Sequence, residues 1–262
     1  MKRLCTYILV SFILCAGAPV AAMANGGAAS GKELMQRAEE LLNSYQDSEA
    51  LQLYEQVLAE SPKNYEALCK ASFLHCRIGE RYPDETSRMR HFLKAKEYAM
   101  VAYELQPTDA EANYVMALSL GSEAMASSAR IRLQGINQIK SFVDAALVDN
   151  PKHAGAWHIL GRWYFKMANL NFAEKAASSM FFGGICGEAT NEKAAHAIEQ
   201  AILYNPRNIR YYYDLAFVYE EMKNTSACIS TLRKALTVTS ETKEELELSR
   251  RCNIMLQGKL KS

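Results

Sequence analysis

Four short polar segments, each containing a proline, divide the chain into stretches of mixed apolar and polar character. They are SPKNYEAL from residue 61, QPTDAEANY from 106, NPKHAGAW from 150 and NPRNIRYYY from 205. In each segment, two polar residues follow the proline and a run rich in apolar or small residues comes next. Proline ends one helix and primes another, because its ring clashes with a preceding helical turn but suits an entry position. The pattern therefore predicts helices punctuated at intervals, which is typical of a solenoid.

The apolar spacing within these stretches fits the tetratricopeptide repeat, a helix pair of about 34 residues. The fullest match is AWHILGRWYF, which places Trp157, Leu160, Gly161 and Tyr164 at the Trp, Leu, Gly and Tyr positions of the template. The last unit fits through Tyr212, Leu215, Ala216, Tyr219, Cys228, Leu232 and Ala235, and the first through Leu34, Ala38, Leu41, Ala50, Tyr54 and Pro62. The small residues of this pattern let two helices approach closely, and the large ones fill the space between them.

We therefore predict an all-α fold, a right-handed superhelical solenoid of tetratricopeptide-type helix pairs with insertions and a C-terminal capping helix. The repeat domain is expected over residues 31–262, with units at about 31–64, 65–109, 110–153, 154–208 and 209–242 and a capping helix at 243–260. The capping helix is amphipathic, with Leu246, Cys252, Ile254 and Met255 apolar among charged residues. A terminal repeat needs such a cap to hide its open end, so removal of residues 243–262 should lower stability strongly.

The distances between the prolines indicate insertions. The prolines of the four segments are 45, 44 and 55 residues apart, so the second and third units carry roughly 10 extra residues and the fourth roughly 20. We place the extra residues between the first and second helix of each unit. In the fourth unit they include a further helical stretch that ends at FFGG, and Thr190 is predicted to cap the second helix from Asn191. We interpret this insertion as a helix against the outside of the solenoid; the alternative is an aromatic docking edge at Phe181 and Phe182.

The first residues have the three parts of a secretory signal peptide. Lys2 and Arg3 are followed by an apolar run from Leu4 to Cys15 and by the small residues APVAAMA. The run is short for a bilayer crossing, which needs about 20 residues. We predict a signal peptide at 1–24, with cleavage after Ala24 or Ala22, and a flexible linker at 25–30; an uncleaved anchor is the alternative. The chain is therefore expected to be exported, to the periplasm or cell envelope if the source is bacterial.

Charge and cysteine content exclude several classes of function. The chain after residue 24 keeps 28 basic and 29 acidic side chains, and this near balance gives no general attraction to nucleic acid or anionic lipid. Its five cysteines, Cys69, Cys76, Cys186, Cys228 and Cys252, are odd in number and form no C-x-x-C. A disulfide framework is not indicated. Cys69 and Cys76 lie two helical turns apart, roughly 10 Å, which is beyond disulfide reach.

The second half of the chain resembles a known family in the order of its pieces. It contains, in order, a GRWYF helix, a long insertion ending in FFG, a Thr-led helix, a proline, an aromatic-rich helix and a VTSETKEE segment before the last helix. This order resembles the regulator of microtubule dynamics family of tetratricopeptide proteins. The resemblance is specific over residues 155–256 and looser over 31–150. It implies an all-helical repeat domain that associates with other proteins or membranes and is not catalytic. An exported chain would not meet cytoplasmic microtubules, so the role in the family's name is not carried over.

A concave groove is expected where the first helices of the units lie side by side. The candidate partner-binding residues are Arg77, Tyr114, His158, Arg162, Tyr213 and Phe217, and the same template positions hold Cys69, Phe73, Cys76, Leu118, Phe165, Lys166, Glu220 and Glu221. Rings beside Arg77, Arg162 and Lys166 suit an extended peptide with a carboxylate, or an acidic amphiphile, because guanidinium groups grip paired oxygens. The simpler interpretation is that the rings pack between repeats and the charges are solvated.

Motifs for catalysis are poor. The five histidines form no H-E-x-x-H, the GGICGE loop lacks the residues of a phosphate loop, and Cys186 within it has no histidine placed to activate it. We predict a non-catalytic scaffold that binds a protein or peptide partner through the groove or the aromatic edge. The alternatives are a carrier or sensor of an apolar or lipid-like ligand, and an enzyme that uses Cys186. No cofactor, metal or nucleic acid is expected.

Overall fold

The computed structural model describes residues 30–127, 129–171 and 189–261, and the side chains at 129–134 and 137 lie outside the description. The regular secondary structure of these residues is entirely helical: α1 Gly31–Asn43, α2 Asp47–Glu60, α3 Tyr65–Gly79, α4 Glu85–Leu105, α5 Ala110–Met125, α6 Ala129–Asp149, α7 Ala154–Ala168, α8 Asn191–Tyr204, α9 Ile209–Glu221, α10 Thr225–Ala235 and α11 Lys243–Lys261. The all-α fold class is confirmed. Within the described part, no helix combines the length and apolar character that crossing a membrane requires.

The helices pack as consecutive pairs, α1 with α2, α3 with α4, α5 with α6, α7 with α8 and α9 with α10, and α11 packs on the last pair. The second helices of the second and third pairs are long. Helices α4 and α6 have 21 residues each, whereas α2 has 14. Much of the extra length that the proline spacing indicated in these two units is therefore built into a longer second helix.

The four proline turns share one construction. The preceding helix ends two residues before the proline, at Glu60, Leu105, Asp149 and Tyr204, and the next begins three residues after it. The residue before Pro62 has left the helical region, with φ −134° and ψ 78°, since proline disfavours the α conformation of its neighbour. The residue two positions after each proline is the N-cap: Asn64, Asp109, His153 and Asn208 accept hydrogen bonds from the first backbone amides of α3, α5, α7 and α9.

Three of these turns carry a second hydrogen bond. The proline carbonyl accepts from the side chain six residues later: Asn113 Nδ2 to Pro107 at 2.9 Å, Trp157 Nε1 to Pro151 at 2.8 Å and Tyr212 Oη to Pro206 at 3.0 Å. The template aromatic positions at Trp157 and Tyr212 therefore have a polar as well as a packing role, since each fixes the turn at the entrance of its own helix. Leu68 stands at the same position after Pro62 and cannot donate.

The small template residues lie where helices touch. Ala38, Ala50, Ala216 and Ala235 are fully buried. At Gly161, an added Cβ would lie 2.4 Å from Ile198 Cγ1 and 3.1 Å from the Ala194 carbonyl oxygen, so the glycine permits a close approach of α7 and α8. The predicted N-cap at Thr190 is confirmed, since its hydroxyl accepts from the amide of Lys193 at 3.2 Å. Cys69, Cys76, Cys228 and Cys252 are buried free thiols.

The predicted apolar face of the last helix is partly wrong. The buried residues of α11 are Leu248, Cys252 and Leu256, which recur every four residues and pack on Ile209, Tyr212 and Leu232. Leu246 and Ile254 were expected on this face, but they are 64% and 56% exposed. Cys252 holds its expected place, and Met255 packs at the edge of the same cluster. The signal segment 1–24, the FFGG stretch with Phe181 and Phe182, and Cys186 lie outside the described residues.

A pair of histidines ties α3 to α4. His75 Nδ1 and His91 Nδ1 are 2.9 Å apart, and His75 Nε2 is 3.2 Å from Glu55 Oε1. Tyr98 also donates to Glu55, and the His91 ring stacks on Tyr82. Burial, the adjacent His75 and Arg90 lower the pKa of His91, against the opposing effect of Glu55. Because the Glu55 carboxylate can only accept, His75 Nε2 donates to it, His75 Nδ1 accepts and His91 Nδ1 donates. A second proton on His91 would go to its Nε2 and place a charge on a partly buried ring, so the folded state favours the neutral ring.

We expect this pair to make stability depend on pH. The unfolded chain takes up the His91 proton near pH 6.5 and the folded chain only at lower pH. The contribution of the pair is therefore complete above pH 6.5 and is lost as the pH falls towards the folded pKa. His91→Asn keeps a polar atom near the Nδ1 position and removes the titration, so its Tm should fall less between pH 7.5 and 5.5. His196→Asn, on the exposed face of α8, is the control; equal falls in both variants would contradict the assignment.

Candidate functional site

The first helices α3, α5, α7 and α9 bring their side chains together on one concave face. A cavity of about 440 Å³ opens there, lined by Tyr45, Phe73, Cys76, Arg77, Glu80, Arg81, Tyr114, Leu118, His158, Asn208, Ile209, Arg210, Thr242, Glu244, Glu245 and Leu248. Of the predicted groove residues, the structure places Phe73, Cys76, Arg77, Tyr114, Leu118 and His158 on this common surface. The template periodicity predicted their convergence because it fixes which face of each first helix points inwards.

A second cavity, of about 580 Å³, adjoins the first. It is lined by Glu80, Arg88, Phe92, Ser122, Met125, Arg162, Arg210, Tyr213, Lys243, Glu244, Glu247, Leu248 and Arg251. Five cationic side chains face three carboxylates here, so the cavity has an excess of positive charge. Arg162 and Tyr213 are predicted site residues that line this second cavity. Phe217 lines neither cavity; it is 41% exposed and packs edge to face on Tyr213, with ring centres 4.9 Å apart.

One wall separates the two cavities. Glu80, Arg210, Glu244 and Leu248 line both, so the beginning of α11 lies across the groove and divides it. An ion pair completes the wall, with Arg210 Nη2 3.2 Å from Glu80 Oε2. The sequence predicted that α11 would cover the last repeat, and its first turn also reaches the second unit on the opposite side of the groove.

Arg77 belongs to a buried charge cluster. Its Nε donates to Asp47 Oδ2 at 2.7 Å, and one of its terminal nitrogens donates to Oδ1. Arg81 also donates to this carboxylate, whose side chain is fully buried, while each arginine side chain is 31% exposed. The guanidinium of Arg77 lies over the Phe73 ring, 5.5 Å from its centre. Both of its bidentate positions are therefore taken by Asp47, and Arg77 stabilises the fold in this structure.

His158 is engaged with Asp214. Its Nε2 lies 2.7 Å from Asp214 Oδ2, and its ring packs on Tyr211 at a centre distance of 4.5 Å. Burial lowers the pKa of His158, although the hydrogen bond to Asp214 opposes this shift. Burial alone would raise the pKa of Asp214, but His158 and the nearby Arg162 and Arg210 hold it below its usual value. Both pKa shifts are consistent with a neutral His158 imidazole that donates a hydrogen bond to the ionised carboxylate of Asp214. This hydrogen bond links α7 to α9.

Arg162 and Tyr213 are more available to a ligand. Arg162 is 40% exposed; its Nη2 contacts Met125 Sδ at 3.1 Å, and its Nε is 3.9 Å from Asp214. Tyr213 lines the same cavity as Arg251, and Glu247 and then Tyr213 raise the pKa of Arg251. Burial raises the pKa of Tyr114, and its ring packs at an angle of 42° against the His153 ring, with ring centres 4.5 Å apart.

Sequence reasoning missed Tyr45, Arg81, Arg210 and Glu244. Tyr45 occupies the three-residue turn between α1 and α2 with φ 58°, and the matching turn between α9 and α10 has Lys223 at φ 57°. Arg81 follows Arg77 by four residues, just past the end of α3 at Gly79, and this spacing was a signal that the groove face continued. The positions of Arg210 and Glu244 depend on how far the superhelix closes, which no local pattern encodes.

The described residues offer little for catalysis. Residues 30–127, 129–171 and 189–261 contain no group of three or more His, Cys, Asp or Glu side chains that could hold a metal ion. Burial raises the pKa of the Cys76 thiol to about 12 and that of Cys252 to about 11. These thiols remain protonated near neutral pH and are poor nucleophiles.

Comparisons with known proteins agree with this architecture. The family model for Regulator of microtubule dynamics protein 1-3 matches residues 34–261. Regulator of microtubule dynamics protein 3 of Bos taurus is 27% identical over 179 residues, which cover 64% of this chain and 37% of that protein. Regulator of microtubule dynamics protein 1 of Caenorhabditis elegans is 21% identical over 195 residues, or 73% of this chain and 86% of that one. The crystal structure of a thermophilic TPR protein of Thermus thermophilus matches with a TM-score of 0.63 and 18% identity, over 87% of this chain and 100% of that one.

Proposed function

The chain belongs to the regulator of microtubule dynamics family, and from this premise we propose that it is a non-catalytic scaffold that binds a segment of a partner protein in its concave groove. The tetratricopeptide-type solenoid supports a scaffold role, because stacked helix pairs create an extended concave surface. The residues proposed to contact the partner are Arg162 and Tyr213 first, with Tyr114 and Leu118 on the neighbouring wall. Arg77 and His158 hold the groove in shape through Asp47 and Asp214.

The composition of the second cavity carries this proposal. Arg88, Arg162, Arg210, Lys243 and Arg251 surround it, while Phe92, Met125 and Tyr213 supply apolar area. Guanidinium groups bind carboxylates with two parallel hydrogen bonds, and aromatic rings supply contact area at little cost in side-chain entropy. The favoured partner is therefore a peptide segment that carries carboxylates next to apolar side chains.

Export is a further part of the proposal. The basic start, the apolar run from Leu4 to Cys15 and the small residues up to Ala24 support it. Sequencing the N-terminus of the protein purified from the envelope or culture medium of its host tests this point. A first residue at Asn25 or Met23 is expected, and Met1 in a protein recovered only from the cytoplasm would contradict export.

Peptide display provides the test of binding. Random peptides are selected on the purified chain and their affinities are measured by fluorescence anisotropy. We expect the selected peptides to be enriched in Asp and Glu, and to lose at least about tenfold in affinity, or about 1.4 kcal/mol, in an Arg162→Ala/Tyr213→Ala variant. Thermal unfolding of the variant confirms that it is folded.

Tyr204→Ala is the matched control, because Tyr204 is an exposed aromatic residue at the end of α8 that lines neither cavity. Its affinity for the selected peptides should equal that of the unchanged chain. Peptides that bind all three proteins equally would place the binding surface outside the groove. Native mass spectrometry of the same protein checks the alternative of an apolar or lipid-like ligand, which would appear as a bound mass.

A further inference from the structure

The two ends of the solenoid meet across the groove through polar side chains. Arg81 Nε is 3.0 Å from Glu244 Oε1, and Arg210 of α9 pairs with Glu80, 130 positions earlier in the chain. Glu241 lies close enough to Tyr45 to raise its pKa, and Glu241 also pairs with Arg207 at 3.1 Å. We call these contacts of Arg81–Glu244, Arg210–Glu80 and Tyr45–Glu241 the polar seam. The seam joins the first two units to the last unit and α11.

The seam differs from the packing that surrounds it. Repeats of a solenoid contact their sequence neighbours, and the apolar clusters of this chain follow that order. Helix α11 is anchored on α9 and α10 by Leu248, Cys252 and Leu256. Glu244 and Glu80, by contrast, are 47% and 43% exposed. Exposed ion pairs are individually weak and are screened by salt, so the seam can open while α11 stays on the last unit.

The start of α11 does not depend on the seam for its own structure. Thr242 and Glu245 form a capping box, in which the Glu245 amide donates to Thr242 Oγ1 at 3.1 Å and the Thr242 amide donates to Glu245 Oε2 at 3.2 Å. Glu244 lies between Thr242 and Glu245 in the sequence, and its carboxylate pairs with Arg81. The carboxylate of Glu244 therefore contributes to closure across the groove and not to the helix start.

Arg210, a cation of the seam, is also one of the five cations proposed to bind the partner. Arg210 lines both cavities, and Arg81 lines the first. Glu80 and Glu244 already present carboxylates to them, in the manner expected of an acidic ligand. We propose that Glu80 and Glu244 are internal substitutes for the carboxylates of an acidic partner segment, so that the groove is closed in the free protein and opens when the partner takes over Arg210 and Arg81.

This inference rests on the proposed function, because it assigns the partner and the gating of the same groove. The variant that tests it is Glu80→Gln/Glu244→Gln, which removes both carboxylates and keeps the anchoring residues of α11. Its matched control is Glu40→Gln/Glu97→Gln, which makes the same change in net charge at exposed i,i+3 pairs with Arg37 and Lys94. The probe is fluorescein-labelled octaglutamate, with octaglutamine as the uncharged reference.

We expect the Glu80→Gln/Glu244→Gln variant to bind octaglutamate at least tenfold more tightly than the control at the same ionic strength. A further Arg210→Ala change should remove this gain. Small-angle X-ray scattering should give a larger radius of gyration for the seam variant than for the control. Octaglutamine should bind neither protein.

The other outcomes separate this inference from the proposed function. Equal octaglutamate affinity in the seam variant and the control, weakened in both by Arg210→Ala, would overturn the gating and leave groove binding intact. Absence of octaglutamate binding, with display-selected peptides still bound in the groove, would overturn the acidic partner. Absence of any groove-dependent peptide would contradict the proposed function itself.

Discussion

Replacing Arg77 and Arg81 together with methionine is expected to destabilise the folded chain by about 3–5 kcal/mol at pH 7. The carboxylate of Asp47 is fully buried, and these two arginines are its ion-pair partners. Their removal leaves an uncompensated negative charge inside the protein, whereas two methionines keep most of the apolar stem of each side chain. Urea unfolding followed by circular dichroism measures the loss.

The charge can be separated from the packing by a third substitution. Asp47→Leu in the double-methionine background removes the stranded carboxylate, and replacement of a buried ionic cluster by apolar residues is often neutral. The triple variant should therefore recover most of the lost stability. A triple variant as unstable as the double would show that arginine packing, and not burial of an unpaired charge, caused the loss.

The repeat architecture could be predicted because its determinants are local. Each proline turn needs only a proline, an N-cap two residues later and an apolar helix after it, and all three are visible in a short window such as NPKHAGAW. Gly161 was likewise identifiable, since its place in the template requires a close approach of two helices. The lengthening of α4 and α6 was not predicted, because the proline spacing gives the number of extra residues and not their conformation.

The groove was predictable in outline but not in its electrostatics. Template positions correctly brought Arg77, Tyr114 and His158 to one surface, yet two of these side chains are engaged by carboxylates. Asp47 lies 30 residues before Arg77, and Asp214 lies 56 residues after His158. Pairings over such distances depend on the superhelical geometry. The repeat periodicity predicts which helix face a residue occupies. It does not predict which charged residue of another unit will pair with that residue.

The register of α11 is a similar case on a smaller scale. Its apolar residues fall on two faces, with Leu248, Cys252 and Leu256 on one and Leu246 and Ile254 on the other. Both faces have apolar members, so the sequence alone does not choose between them. The choice is made by the open end of the last pair, where Ile209, Tyr212 and Leu232 offer an apolar surface to the row that recurs every four residues.

We expect Leu256→Ala to cost about 2–5 kcal/mol, the usual range for truncating a buried leucine. Leu246→Ala on the same helix should change stability by no more than about 0.5 kcal/mol, because this side chain is 64% exposed. Both variants remove the same atoms and have the same effect on helix propensity. Urea midpoints for the pair therefore report which face of α11 is packed, and equal losses, or a larger loss for Leu246→Ala, would refute this packing of the cap.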